Sequence, residues 1–130
     1  MPRLGFQTGT ANLARIATLA ALTLAVAVGF RALAAPEWAP ELATISELEQ
    51  AIHLPSGASP IELYTRYYAG VVKAGRRVTL GKYHLGGSSV VLVKGEGDLP
   101  QVFDGGCNVI NVEYDVDAHS FAAAFCNGVA

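Results

Sequence analysis

The sequence predicts an α+β domain in which one short N-terminal helix packs on a single antiparallel sheet of about five strands, closed by one disulfide. Three observations support this fold class. An apolar leader precedes the domain, one stretch shows helical periodicity, and the remaining chain alternates apolar runs with glycine-rich turns. The chain has two cysteines, Cys107 and Cys126, and they lie in its last two apolar runs.

Residues 1–34 are typical of a cleavable signal peptide. Two arginines give a positive start, residues 16–30 carry no charge, and residues 32–34 have the small-residue pattern of a cleavage site. The alternative is an uncleaved membrane anchor, but a spanning helix needs about 20 apolar residues. We therefore expect export to the periplasm or the extracellular space. The predicted product is one domain over residues 35–130 with no stable membrane span after cleavage.

The helix is expected directly after a proline-bounded lead-in. Residues 44–47 and 46–49 both have the pattern of a capping box. Ile45, Leu48 and Ile52 share one helical face, which predicts the side that packs on the sheet. A stretch rich in proline, serine and glycine then ends the helix.

Residues 61–72 are ambiguous between a helix and the first strand of a β-hairpin that residues 76–85 complete. Residues 59–60 (Ser-Pro) suit a helix start, whereas the tyrosines and valines that follow favour strands. We choose the hairpin, with a short turn at residues 73–75. The apolar alternation breaks at Gly81, which predicts a β-bulge there.

Residues 89–94 form the third predicted strand. They are apolar at four consecutive positions, which indicates a central place in the sheet. A turn-rich loop over residues 95–106 follows, and we expect Val102 and Phe103 to tuck its middle onto the core.

The last two apolar runs are predicted to pair as a hairpin whose register the cysteines set. Placing Cys107 opposite Cys126 brings Val112 opposite Phe121 and gathers the apolar side chains on one face. The alternatives are a redox pair, which usually has two intervening residues, and a metal site, which needs more ligands. A structural disulfide is typical of an exported domain. Closing the loop between Cys107 and Cys126 stabilises such a domain by about 3 kcal/mol.

The charge of the predicted domain argues against nucleic acid as a partner. All 11 acidic residues but only six of the 9 basic residues lie after residue 34, which leaves a net charge of −5. Binding to a phosphate backbone relies on clustered positive charge. The sequence also has neither a metal-ligand pattern nor a phosphate-binding loop, so we expect no cofactor.

Tyr64, Arg66 and Tyr68 are the best candidates for a partner-binding surface. They share one face of the predicted strand, and Tyr and Arg on a rigid sheet are favoured in recognition. Core packing with the hydroxyl groups at the rim is the alternative. His84 and His119 are the candidates for acid/base chemistry, although nothing in the sequence brings them together.

Three short segments resemble short exported bacterial proteins of unknown function. They are residues 64–69 (Tyr-Thr-Arg-Tyr-Tyr-Ala), 104–107 (Asp-Gly-Gly-Cys) and 126–128 (Cys-Asn-Gly). The resemblance covers about residues 61 to 130 and implies export and a compact domain closed by one disulfide. It implies no activity.

The expected function is that of an exported, non-catalytic module that binds a protein or cell-envelope partner. Its expected surface is the face formed by Tyr64, Arg66 and Tyr68 or the loop over residues 95–106. The alternative is a small secreted hydrolase of the ribonuclease type that uses His84 and His119. A third possibility is a structural protein of the envelope.

Overall fold

The computed structural model describes residues 37–129. A helix, α1 (Leu42–Ala51), is followed by five strands: β1 (Tyr64–Lys73), β2 (Arg76–Leu85), β3 (Val90–Leu92), β4 (Val109–Asp115) and β5 (Ser120–Cys126). The strands form one sheet in the order β3-β1-β2-β4-β5. The predicted α+β class is confirmed, while the predicted leader and its cleavage site lie outside the described residues. None of the helices within residues 37–129 is long and apolar enough to cross a membrane.

The helix α1 begins at Leu42, before either predicted capping box, and no side chain caps its start. The glutamates of those boxes, Glu47 and Glu49, accept hydrogen bonds from tyrosines of the sheet instead. Tertiary contacts have therefore replaced the predicted local caps. The predicted apolar face of the helix does pack on the sheet, and the core formed there consists of Ile45, Leu48, Tyr64, Tyr68, Tyr83, Ile110, Val112 and Tyr114.

The predicted hairpin of β1 and β2 is confirmed. Ala74 and Gly75 form its turn with φ angles of 49° and 75°, and two positive values are typical of the tight turn that suits twisted strands. The helical alternative survives only as a short 3₁₀ turn over Ile61–Leu63.

Gly81 does not form the predicted bulge. It lies opposite Tyr68 on one side and Val112 on the other, within unbroken ladders. A Cβ atom at Gly81 would lie 3.1 Å from the ring of Tyr68 and 3.2 Å from the ring of Tyr83. The glycine therefore makes room for two tyrosine rings, and this is why the apolar alternation breaks there.

The sheet is mixed rather than purely antiparallel, because β3 pairs with β1 in parallel. β2 ends at Leu85, opposite Tyr64 at the start of β1. The amides of Gly86 and Gly87 then donate to the carbonyl of Leu63 as the chain passes over that end. A strand that continues along the free side of β1 must run parallel to it. The predicted central position is therefore wrong, and β3 is an edge strand.

The sheet has two faces, which alternate along every strand. The helix face, covered by α1, carries Tyr64, Arg66, Tyr68, Tyr83, Ile110, Val112 and Tyr114. The loop face carries Tyr67, Leu80, Lys82, His84, Asn111 and Glu113. The loop between β3 and β4 crosses on this second face, where Leu99 is buried. Phe103 is 90% exposed, so Leu99 attaches the loop and the prediction for Phe103 is wrong.

The strands β4 and β5 pair as predicted but in a different register. Tyr114, rather than Val112, lies opposite Phe121. The predicted disulfide is present, with the Cα atoms of Cys107 and Cys126 4.5 Å apart. Cys107 lies in a 3₁₀ turn before β4 and not in the ladder. The disulfide therefore attaches that turn to the end of β5, and this is why it does not set the register.

Candidate binding surface

The predicted binding residues Tyr64, Arg66 and Tyr68 lie beneath α1. Tyr64 and Tyr68 are 0% exposed and Arg66 is 9% exposed. They share one face of β1, as predicted, but that face is the one on which the helix packs. The prediction of an exposed surface at these residues is wrong, and core packing describes them.

Glu49 on α1 is the polar centre of the helix face. Its Oε1 accepts from Arg66 Nε at 2.7 Å and from the Tyr68 hydroxyl at 2.8 Å. The hydroxyl groups of Tyr68 and Tyr83 share a further hydrogen bond of 2.7 Å. Burial raises the pKa of both tyrosines, so both hydroxyls stay protonated. This network satisfies buried polar groups within the domain and holds the helix on the sheet.

The two candidate catalytic histidines lie far apart. His84 is on the loop face near the end of β2, opposite Val109. His119 lies in the β4–β5 turn at the other end of these strands, with Nδ1 2.5 Å from Oε1 of Glu47 on α1. The strand rise places them roughly 20 Å apart. Because an acid and a base must both reach the same bond, these two imidazoles cannot act on one substrate bond.

Each histidine has a local structural environment. Burial, and to a lesser extent Lys82, lowers the pKa of His84. The ring of Tyr67 contacts it edge-on, with 5.5 Å between ring centroids. His84 Nε2 is buried and has no hydrogen-bond partner within residues 37–129. The contact between His119 and Glu47, in contrast, lowers the pKa of that carboxyl group.

The loop face contains a groove of about 230 Å³ between the sheet and the loop over residues 95–106. Its apolar walls come from Leu80, Leu99, Ala123 and Phe125. These side chains belong to β2, the loop and β5, so the groove runs from the middle of the sheet to its edge. Only the fold assembles it.

A chain of hydrogen bonds crosses the floor of the groove and reaches the loop. Lys82 donates to Asn111 Oδ1, and Asn111 Nδ2 donates to Asn127 Oδ1 at 2.6 Å. Asn127 Nδ2 then donates to the carbonyl oxygens of Val102 and Asp104, at 2.6 and 2.9 Å. Because Asn127 directly follows β5, this chain holds the loop against the edge of the sheet.

The charged side chains of the groove are balanced. Lys73 Nζ lies 3.0 Å from Glu113 Oε2, and Lys82 is bound to Asn111. The most exposed aromatic ring of the described residues, Phe103, lies on the loop segment that Asn127 holds. The groove surface, defined as the groove together with Phe103, thus combines apolar walls with equal numbers of lysines and glutamates, Lys73, Lys82, Glu96 and Glu113.

Sequence reasoning named the loop but missed the side chains that complete the surface. Lys82, Asn111 and Phe125 come from three different strands, and no local pattern groups them. Asn111 was a usable signal, since a polar amide inside an apolar run is favoured where it has hydrogen-bond partners. Asn111 is only 8% exposed and hydrogen-bonds to both Lys82 and Asn127.

Comparison with protein-family models, with curated proteins and with solved structures finds no match to this chain. Function must therefore be inferred from the geometry of the described residues. Within residues 37–129, no group of three or more histidine, cysteine, aspartate or glutamate side chains is arranged to bind a metal ion.

Proposed function

We propose that the protein is an exported, non-catalytic module whose groove surface binds an extended polypeptide segment of a cell-envelope protein. The observation that carries this proposal is the exposure of two aromatic rings on that surface. Phe103 is 90% exposed and Phe125 is 54% exposed. Aromatic side chains are enriched in the centres of protein interfaces, and covering them removes apolar area from water.

The charges of the groove favour a polypeptide over a polyanion. The two lysines that line the groove, Lys73 and Lys82, lie among two acidic side chains, Glu96 and Glu113. They therefore offer little of the clustered positive charge on which phosphate binding relies. Apolar walls with a few fixed polar groups suit an uncharged segment, which can place one apolar side chain between Leu80 and Phe125.

Two further observations support the proposal. Disulfides persist in oxidising compartments, and the bond between Cys107 and Cys126 is therefore compatible with export. His84 and His119 lie at opposite ends of the sheet, which removes the acid/base pair that the hydrolase alternative requires. Partner binding thus uses the loop, the second of the two surfaces expected from the sequence.

Site-specific photo-crosslinking in intact cells tests the proposal. A benzophenone-bearing analogue replaces Phe103, Phe125 or, as a control, Leu63. Leu63 is 52% exposed and lies just before β1, away from the groove. We expect one discrete protein adduct from positions 103 and 125 and none from position 63.

Binding of the purified adduct partner gives a second readout. Phe103→Ser and Phe125→Ser should each weaken its affinity about tenfold, or about 1.4 kcal/mol. Leu63→Ser should leave the affinity unchanged. Equal adduct yields at all three positions, or no adduct at positions 103 and 125, would contradict the proposed surface. Adducts to lipid or glycan alone would contradict a polypeptide partner.

A further inference from the structure

Strand β5 forms an open edge of the sheet. Within residues 37–129, no segment pairs with its outer side. The amide of Asn127 donates to the carbonyl of Val109. Because the hydrogen bonds of an antiparallel pair alternate, Ala124 and Cys126 direct their N–H and C=O groups away from β4. These groups are available to another strand.

The usual protections of an edge strand are weak on β5. Natural edges are shortened, charged, interrupted by proline or bent by bulges. The opposite edge, β3, has 3 residues and is soon followed by Lys94. β5 has 7 residues and contains neither proline nor Asp, Glu, Lys or Arg. The register shift leaves Ala122 without a partner in β4, whereas residues 123–126 keep a regular register.

The regular part of β5 is complementary to a second copy of itself. A two-fold axis at Ala124 places Ala124 opposite its own copy and Ala123 opposite Phe125 of the second copy. The outward groups of the two Ala124 residues then exchange two hydrogen bonds. The alanines permit close approach of the strands. Phe125, 54% exposed in the single chain, covers Ala123 of the second copy.

We propose that the protein forms a symmetric dimer in which β5 pairs with β5 of a second copy in antiparallel orientation. A two-fold axis perpendicular to the sheet keeps both loop faces on the same side. The dimer therefore presents two grooves side by side on one continuous sheet. This pairing does not depend on what the groove binds. Because Phe125 lies at the contact between the copies, a self-adduct from position 125 reports the dimer, whereas an adduct from position 103 reports the partner of the groove.

The mass of the purified protein in solution tests the pairing. Light scattering after size exclusion should give twice the mass of one processed chain. Ala124→Pro should halve this mass and leave the far-ultraviolet circular dichroism unchanged, because the lost N–H points outwards and proline is tolerated at such edge positions. Ala124→Ser is the matched control and should remain dimeric. Phe103→Ser should also remain dimeric, which separates this test from that of the groove.

Oxidative crosslinking tests the register even if the proline variant fails to fold. The Ala124→Cys variant places two thiols opposite each other at the two-fold axis, at a Cα separation of about 5.5 Å that suits a disulfide. The Ala123→Cys variant does not, since that position faces Phe125. We expect a covalent dimer from the first variant only. A monomeric wild-type protein, a dimeric Ala124→Pro variant or equal crosslinking at both positions would overturn the proposal.

Discussion

The two faces of the sheet contain similar mixtures of aromatic and polar residues but use them differently. On the helix face, a glutamate from α1 binds Arg66 and Tyr68, and the tyrosine rings are fully buried. On the loop face, Lys82 and Asn111 bind each other, and Phe125 remains half-exposed. The difference comes from the covering element.

A rigid helix and an irregular loop have different consequences for the groups beneath them. The helix brings side-chain acceptors to buried donors and closes the surface. The loop attaches through Leu99 and through two carbonyl oxygens bound by Asn127, which leaves a groove between these contacts. Loops on a rigid scaffold are where binding residues concentrate. We infer that the helix face supplies stability and the loop face supplies recognition.

The largest difference between the faces is expected for Tyr114 and Phe125. Tyr114→Ala removes a ring that is 1% exposed and should lower the free energy of unfolding by about 3–5 kcal/mol. Phe125→Ala removes a ring that is 54% exposed and should cost about 1 kcal/mol or less. Urea denaturation followed by circular dichroism measures both. Similar losses would show that the loop face is as much a core as the helix face.

Removal of the disulfide should lower the stability of the whole domain without changing what the groove binds. The double variant Cys107→Ser/Cys126→Ser should lose about 3 kcal/mol of stability, since the unfolded chain regains the entropy of an open loop. The turn that holds Cys107 also accepts a 2.7 Å hydrogen bond from the Tyr64 hydroxyl, which should keep the turn in place without the disulfide. Binding at low temperature should be unchanged. Lost binding in a folded double variant would assign the cysteines to the site.

One ion pair on each face of the sheet can be compared, and the difference in stability on removing them should be smaller. The side chains of Glu49 and Arg66 are 21% and 10% exposed, while those of Lys73 and Glu113 are 47% and 30% exposed. Glu49→Ala leaves buried donors unpaired and should cost about 2 kcal/mol. Lys73→Ala breaks a solvated pair and should cost about 0.5 kcal/mol. Equal costs in thermal or urea unfolding would refute the distinction.

The smallest effect on stability is expected from a change of pH that protonates His84. Burial lowers the pKa of His84 from its ordinary 6.5, so the folded protein favours the neutral ring. The unfolded chain then binds more protons as pH falls below 6.5. This contribution to stability is present above that value and is lost as pH falls through the lowered pKa. Wild-type protein should therefore lose more stability over this range than His84→Gln, and equal losses would contradict the assignment.

The carboxyl group of Glu47 defines a separate, more acidic range. Its hydrogen bonds with His119 and Tyr114 lower its pKa below the ordinary 4.5. The resulting stabilisation is present above that value and is lost as pH falls through the lowered pKa. The loss of stability on protonation of His84 begins at higher pH than the loss on protonation of Glu47. Lowering the pH in steps therefore measures the two losses one after the other.

Local patterns were sufficient to predict the helix and both hairpins. Ile45 and Leu48 lie one turn apart on a single helix, and the tight turn at residues 74–75 involves neighbouring residues. Both features therefore depend only on residues that are close together in the sequence. The place of β3 and the role of Gly81 were not predictable in this way. The first depends on where β2 ends relative to β1, and the second on rings contributed by two strands.

The sequence by itself determined the fold class and the disulfide partners. Two periodicities separate the helix from the strands, and two cysteines allow only one intramolecular pair. Only the tertiary structure decided which face of β1 is buried. Alternation places Tyr64, Arg66 and Tyr68 on one side of the strand, but it is equally compatible with the helix on either side. The helix docks where its carboxylates meet the buried hydroxyl and guanidinium groups, and the loop must then cross the opposite face and form the groove.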